Sequence, residues 1–305
     1  MPYRALLLSA ACLSLLACGQ DNSPRVEDGE LLVPEDAEVA VPSDVDTPVV
    51  GPADAASAPA PLALTALDCG RIEVGALGLF SEEGAYDGQT DTFADTCWVV
   101  EHPDGVLLWD LGVPAGLTES GPIENGPFTV SLARTLEDQL AERGLTPDFV
   151  AISHSHFDHT GQPEAAEGAV FLAAAAERAF MAENPAQEGA TPFDALLGMD
   201  TVTYEGERDV FGDGRVRILE MPGHTPGHSV LLVDLEEEGP VLLTGDMYHL
   251  DRARELRTVP TFNWDAGVTR ESMDAFEALA SETGARVIIQ HEDADVTDLL
   301  GRTLR

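Results

Sequence analysis

Four stretches of apolar sequence end on a side chain able to bind a metal, and this narrows the possible folds more than any other feature. "FVAISH" stops at His154, "RILEMPGH" at His224, "VLLTGD" at Asp246 and "RVIIQH" at His291. Short apolar runs bounded by Gly, Pro and Asp read as strands. A side chain at a strand end is held by a rigid scaffold while it faces loops, which suits a reactive site. The first run continues into "SHSHFDHTG" (153–161), where His154, His156, Asp158 and His159 form H-x-H-x-D-H. Three of the chain's 8 histidines crowd there, too many for a turn of incidental composition. An extended chain has a side-chain period of two, so His154 and His156 face the same way and can chelate one ion. Asp158 and His159, past the bend, face a second position.

Imidazole and carboxylate donors suit Zn²⁺ or a similar first-row divalent metal (Fe, Co or Mn), and no pair of cysteines at short spacing offers a thiolate site. Seven candidate ligands result: His154, His156, Asp158, His159, His224, Asp246 and His291. If Asp246 bridges, each of two metals has four protein contacts and room for water. Two such cations sharing a hydroxide form a hydrolytic arrangement.

Around these motifs the chain alternates strands with helices. Strands are expected at 71–80, 97–102, 106–112, 148–154, 169–173, 216–224, 229–235, 240–246 and 286–292. Helices are expected at 130–144, where Leu132, Leu136 and Leu140 recur at i, i+4, i+8 before Gly144, and at 174–183 and 272–284. Many short strands with few helices predict an α+β chain in which two packed sheets are covered by helices.

The first 63 residues differ in kind. Residues 1–18 hold one positive charge, Arg4, then an apolar run to Leu16, and read as a secretory signal too short for a stop-transfer helix. "LLAC" (Leu15–Cys18) resembles a bacterial lipobox, so Cys18 would carry lipid and tether the protein without spanning the bilayer. Gly19 after it leans toward the outer membrane, facing the periplasm. Residues 19–63 are rich in Pro, Ala, Asp and Glu without an aromatic ring, and are expected to form a disordered acidic tether. Residues 64–305 then make one domain large enough for a substantial core.

Charge excludes partners. The chain has 16 Lys+Arg against 55 Asp+Glu, net −39, and every basic residue is arginine. Such a field repels nucleic acid and anionic headgroups and argues against a polyanionic substrate, while a small neutral one is compatible with it; the lipid is the expected membrane contact. Cys69 and Cys97, in an exported chain, are either bonded or a buried free pair.

"SHSHFDHTG", "MPGHTPGH", "LLTGD" and "IIQHE" resemble, in order, the ligand motifs of the metallo-β-lactamase superfamily. The resemblance covers essentially all of 64–305 and implies a four-layer αββα sandwich with a dinuclear site at one edge of the sheets. "LDCGRIEV", "HPDGVLLWDLG" and "GDMYH" followed by "RTVPTFNWD" are similar, more loosely, to the N-acyl homoserine lactone lactonases. It implies one metal on His154, His156 and His224, a second on Asp158, His159 and His291, and Asp246 between them. It further implies ring opening of acylated lactones, the degradation of a diffusing signal (quorum quenching), with Asp158 or Asp246 moving the proton. Other esters, thioesters and β-lactams are the alternative substrates within this fold. Several lactonases of this type place a substrate-binding tyrosine three residues after the bridging aspartate. Here that position is His249, with Tyr248 one residue earlier, so both are candidates to polarise the carbonyl.

His228 is expected to support the turn or orient a ligand, Asp110 to stand behind the site, and His102 to be exposed. Phe262 and Trp264 are either acyl-pocket or core residues. The loop 81–95, with Tyr86 and Phe93, is a candidate cover, and Arg252, Arg254 and Arg257 a solvated face. The oligomeric state stays open.

Overall fold

The computed structural model describes residues 61–187 and 189–305. The expected signal (1–18) and nearly all of the expected tether (19–63) lie outside these residues. Strands β1 (Ala63–Val74), β2 (Asp91–His102) and β3 (Gly105–Trp109) form an antiparallel meander. Next come β4 (Ile123–Asn125), β5 (Phe128–Ser131), β6 (Phe149–Ala151), β7 (Val170–Ala174) and β8 (Thr201–Tyr204). The second half holds β9 (Glu207–Asp209), β10 (Val216–Glu220), β11 (Ser229–Leu235), β12 (Gly239–Leu243), β13 (Arg286–Ile288) and β14 (Thr303–Leu304). One sheet runs β4-β5-β1-β2-β3-β6-β7-β8, with β14 also on β1; the other runs β13-β12-β11-β10-β9.

Period-two burial explains the layers. On β2, Trp98 and Val100 face the core shared by the two sheets, where Leu107, Ile218, Leu231 and Val241 join them. Cys97 and Val99 face the other way, against Leu136 and Leu140 of the helix Leu136–Arg143 and Met181 of the helix Ala175–Glu183. On β11, Leu231 and Val233 point inward, while Val230 and Leu232 meet Met273 and Phe276 of the helix Ala266–Thr283. A sheet covered on both faces shows no apolar–polar alternation, and its strands read as continuous apolar runs. The result is helix, sheet, sheet, helix: the expected αββα sandwich. No helix among the described residues is long and apolar enough to cross a membrane.

Local expectations fail where tertiary pairing overrides spacing. The helix expected over 130–144 begins only at Leu136, with Thr135 as its N-cap accepting from the Asp138 N–H at 3.1 Å. Val130 pairs instead with Ile72 and Ile123 in the sheet, and Leu132 packs beside them. The run 71–80 is the end of β1 followed by a 3₁₀ turn, Leu77–Phe80, which carries Phe80 to the edge of the sandwich.

Candidate metal centre

The seven ligand candidates sit just past strand ends at one edge of the sandwich. After β6 the chain turns through Ser153, whose N–H donates to Asp110 Oδ1 at 2.6 Å. The bend that follows is closed by the His159 N–H on the His156 carbonyl at 3.1 Å and by the Thr160 hydroxyl on the same oxygen at 3.0 Å. Asp246 lies in a 3₁₀ turn after β12. Gly245 there has φ 50°, and a Cβ on it would lie 2.7 Å from His228 Nε2 and 2.8 Å from Ser153 Cβ. Glycine is required by both the backbone and the space.

Two donor groups result: His154, His156, His224 and Asp246 in one, Asp158, His159 and His291 in the other, each with its donor atoms within 4.8 Å of one another. Asp246 belongs geometrically to both. Its Oδ2 lies 3.5 Å from His154 Nε2 and 3.3 Å from His224 Nε2, while its Oδ1 lies 3.2 Å from His159 Nε2 and 3.0 Å from His291 Nε2. Asp158 stands 3.9 Å from His159 Nε2 and 3.8 Å from His291 Nε2.

The chemistry of this set fits two cations. Among the described residues His154 Nε2 is buried without a hydrogen-bond partner, a costly state unless a further group is bound, and Asp246 Oδ1 meets only the imidazole nitrogens just named. His156 Nδ1 faces His224 Nε2 at 3.0 Å, and His159 Nε2 faces His291 Nε2 at 3.3 Å, so lone pairs converge on shared points. The outer nitrogens of His154, His159, His224 and His291 are committed elsewhere. His224 Nδ1 meets Asn263 Oδ1 at 2.8 Å, His291 Nδ1–H donates to the Ala94 carbonyl at 2.7 Å, and His154 Nδ1 meets Ser153 Oγ at 3.1 Å. Asp110 holds His159 Nδ1 at 3.1 Å and accepts from Gln290 Nε2 at 2.9 Å. Such outer partners fix which ring nitrogen faces a metal.

The electrostatics differ between the two groups. Burial pushes His154 and His156 well below the usual imidazole range, leaving them neutral as ligands must be. Burial acts against protonation of His159 too, but Asp110, Asp246 and Asp158 outweigh it and hold its pKa high. Burial likewise opposes Asp246 and Asp158 at His291, which they push up to about 9. Burial would raise Asp246, yet His249, His291, His159 and His154 hold it well below the carboxylate range.

Above this cluster opens a cleft of ≈ 290 Å³, walled by Phe80, Phe93, Phe128, Phe157 and Phe262 and reaching His156, Asp158, Asp246, His249 and His291. Phe80 is the hub, edge-on to Phe93 at 4.9 Å, Phe262 at 5.3 Å and Phe128 at 6.3 Å between ring centres. Phe262 is therefore a cleft residue. Trp264 is 57% exposed and joins the site only through its backbone N–H on the His224 carbonyl.

The two carbonyl-polarising candidates separate. His249 lines the cleft, its Nε2 2.9 Å from Asp246 Oδ2. Tyr248 points the other way: it packs on Phe276, and its hydroxyl donates to Glu277 at 3.1 Å. His228 supports the turn as expected, its Nε2 accepting the Asp246 N–H at 2.9 Å and its Nδ1–H donating to the Met221 carbonyl at 3.0 Å. His102, expected to be exposed, is buried, stacked on Phe211 and 3.0 Å from Asp213. Tyr86 does not cover the site; it is buried, with its hydroxyl 3.0 Å from Thr258 Oγ1. The three arginines are engaged: Arg254 on Glu277, Arg257 on Asp274, Arg252 over the Tyr86 ring. Cys69 and Cys97 form a disulfide. Sequence reasoning missed Phe80, Asn263 and Gln290. Asn263, inside "RTVPTFNWD", and Gln290, inside "IIQHE", lie in stretches whose resemblance gave a local signal, whereas Phe80 had none.

A profile of the metallo-beta-lactamase superfamily matches residues 90–291. An N-acyl homoserine lactonase of a Bacillus species is 29% identical over 206 residues, 64% of this chain and 80% of that protein. The N-acyl homoserine lactonase AttM of Rhizobium johnstonii is 33% identical over 215 residues, 65% of this chain and 81% of that protein. Among solved structures, an N-acyl homoserine lactone hydrolase with N-hexanoyl-L-homoserine at its catalytic metal centre aligns with a TM-score of 0.65. The two are 21% identical, over 77% of this chain and 95% of that one, a likeness of fold.

Proposed function

The chain belongs to the metallo-beta-lactamase superfamily, and we propose that it opens lactone rings by hydrolysis, N-acyl homoserine lactones first among them. One observation carries this reading: two His/Asp donor groups sharing Asp246 lie at the floor of a cleft whose walls are phenylalanine. A polar reacting end and an apolar tail match that division. The lactonases similar to this chain support the same substrate class.

The seven ligand residues would hold two divalent cations, zinc in our reading. Bound there, they supply a nucleophilic water at neutral pH and electrophilic pull on the ring carbonyl. The rest is done by the chain's own groups. Asp158, at the cleft wall, takes the proton that water releases and delivers it to the departing ring oxygen. His249, with its pKa lowered by burial although Asp246 beside it works the other way, is a neutral ring. Its Nε2–H is placed to donate to Asp246 or to an incoming carbonyl oxygen. The phenylalanines hold the acyl tail and exclude bulk water from the reacting end.

We further propose that the protein is exported and lipid-anchored through Cys18, probing signals outside the cytoplasm. The signal-like residues 1–18 support this, and a disulfide at Cys69–Cys97 suits an oxidising compartment. Release of a Cys18→Ser variant from the membrane fraction is the expected result; its retention would reject the anchor.

The decisive experiment is ring opening of short- and long-chain acyl homoserine lactones in a pH-stat, with metal content read on the same sample. Chelator-sensitive opening with two metals per chain is the expected outcome. Two metals without opening would move the activity to another ester or to a β-lactam.

A further inference from the structure

We infer that Glu177 positions the subsite of His154, His156 and His224, and leaves the subsite of Asp158, His159 and His291 to other supports. The inference rests on the dinuclear reading above, not on the choice of substrate.

Glu177 lies in the first turn of the helix Ala175–Glu183 and is 2% exposed. A carboxylate this buried is tolerated only when its oxygens are satisfied. All its donors come from the two loops that carry this subsite's imidazoles. Oε1 accepts the Ser155 N–H at 2.7 Å and the Ser155 hydroxyl at 2.5 Å, and Ser155 stands between His154 and His156. Oε2 accepts the Thr225 hydroxyl and the Gly227 N–H, both at 2.8 Å, just after His224. One side chain thus ties together loops some 70 residues apart in sequence.

The packing shows how close that tie is. A Cβ on Gly227 would lie 2.4 Å from the Glu177 backbone nitrogen and 2.9 Å from its Cα. The second loop is therefore seated on the first turn of the helix, with no side chain between them. The other subsite has supports of its own, Asp110 on His159 and the Ala94 carbonyl on His291, while Ser153 Oγ reaches both His154 and His159. Asn263 steadies the His224 ring alone, whereas Glu177 fixes the distance between the two loops.

Glu177→Gln keeps the shape but turns one acceptor oxygen into a donor, so either the Ser155 pair or the Thr225–Gly227 pair loses its partner. The test is titration of the metal-free full-length protein with Co²⁺, followed by absorption, with His224→Ala and His291→Ala marking the two subsites. One equivalent should bind about 10–100-fold more weakly, as for loss of an outer partner. The remaining spectrum should match that of His224→Ala, and Glu177→Asp should fall between variant and wild type. Equal weakening of both equivalents, no weakening, or a spectrum matching His291→Ala would overturn the inference. Should Glu177→Gln fail to fold, Thr225→Val removes one donor at constant shape and must weaken the same equivalent selectively, or the inference fails. Two tight equivalents in wild type without lactone opening would sink the substrate reading and leave this one standing. No cobalt uptake at all would sink both.

Discussion

His249 Nε2 lies 2.9 Å from Asp246 Oδ2, on the same carboxylate that reaches both donor groups. The ring is also stacked on His291, with planes 7° apart, and edge-on to Phe80 at 4.7 Å. It is thus rigid, inside the cleft, and coupled to the carboxylate at the centre of the site. Its sequence neighbour Tyr248 is committed to Glu277 on the far side of the chain. Successive residues of an extended segment face opposite ways, so only one of the two can serve the cleft.

His249→Phe should therefore lower kcat for lactone opening by about 10²-fold, the usual cost of losing one donor to a developing oxyanion. His249→Tyr, which restores a donor, should recover most of it. Tyr248→Phe should leave kcat unchanged and cost about 1 kcal/mol of stability, one hydrogen bond. Steady-state kinetics of the three variants decide the matter. A kcat loss confined to Tyr248→Phe would reverse the assignment.

Asp95 is a buried liability behind the site. It is 1% exposed, neither carboxylate oxygen has a hydrogen-bond partner among the described residues, and burial first, then Asp158, raises its pKa well above the carboxylate range. With the folded pKa above the unfolded one, the protonated acid is the form the fold tolerates. Its stability is full below about pH 3.9 and is lost as pH rises through the folded pKa, by roughly 1.4 kcal/mol per unit across that window. Asp95→Asn should thus stabilise the metal-free protein at pH 7 and gain nothing at pH 3.5. Denaturant midpoints at the two pH values test this, and an equal effect at both would contradict it.

That seven His and Asp side chains gather at one edge was legible because four of them fall within six residues and the others close apolar runs, a pattern that survives without any tertiary information. Cys69 and Cys97 were open because pairing depends on register: Cys97 faces Leu67, and a bulge between Asp68 and Gly70 brings Cys69 alongside. The helix at 130–144 misled because i, i+4 leucines also fit a strand followed by a cap and a short helix. Glu177 was illegible for a different reason. "AAER" on a helix reads as solvent-facing, and nothing local reveals two ligand loops folded over it. Most of the ring-lined wall is equally silent: Phe262 was a candidate, but Phe80 and Phe128 come from an unrelated turn and an unrelated strand.

The disulfide closes a separation of 28 residues between the two longest strands. Loop closure of that length is worth roughly 3–4 kcal/mol by restriction of the unfolded chain. The double variant Cys69→Ala with Cys97→Ala should lose about that much in chemical denaturation. Cobalt uptake should stay at two equivalents. The segment after β3 is tied to the ligand loop independently, by the Leu111 N–H on the His159 carbonyl at 3.0 Å and the Gly161 N–H on the Gly112 carbonyl at 2.7 Å. Loss of cobalt binding in the folded variant would mean that the cross-link, not these bonds, sets the site.

Phe128 and Phe157 wall the cleft on one side and, on the other, an adjoining apolar cavity of ≈ 330 Å³ lined by Leu117, Ile123 and Val130. With the reacting end at the donor groups, a short acyl chain would be covered by the first cavity, while a long one would have to pass these rings to stay out of water. Each methylene kept from water contributes about 0.8 kcal/mol, so a wall covering two of them is worth roughly tenfold in binding. Phe128→Ala should raise KM for a dodecanoyl homoserine lactone by about tenfold and for a butanoyl one by less than about twofold, with kcat unchanged for both. Initial rates across a chain-length series read this directly. An equal rise for every length would place the tail along Phe262 at the opposite lip, and the same series on Phe262→Ala would then show the length dependence.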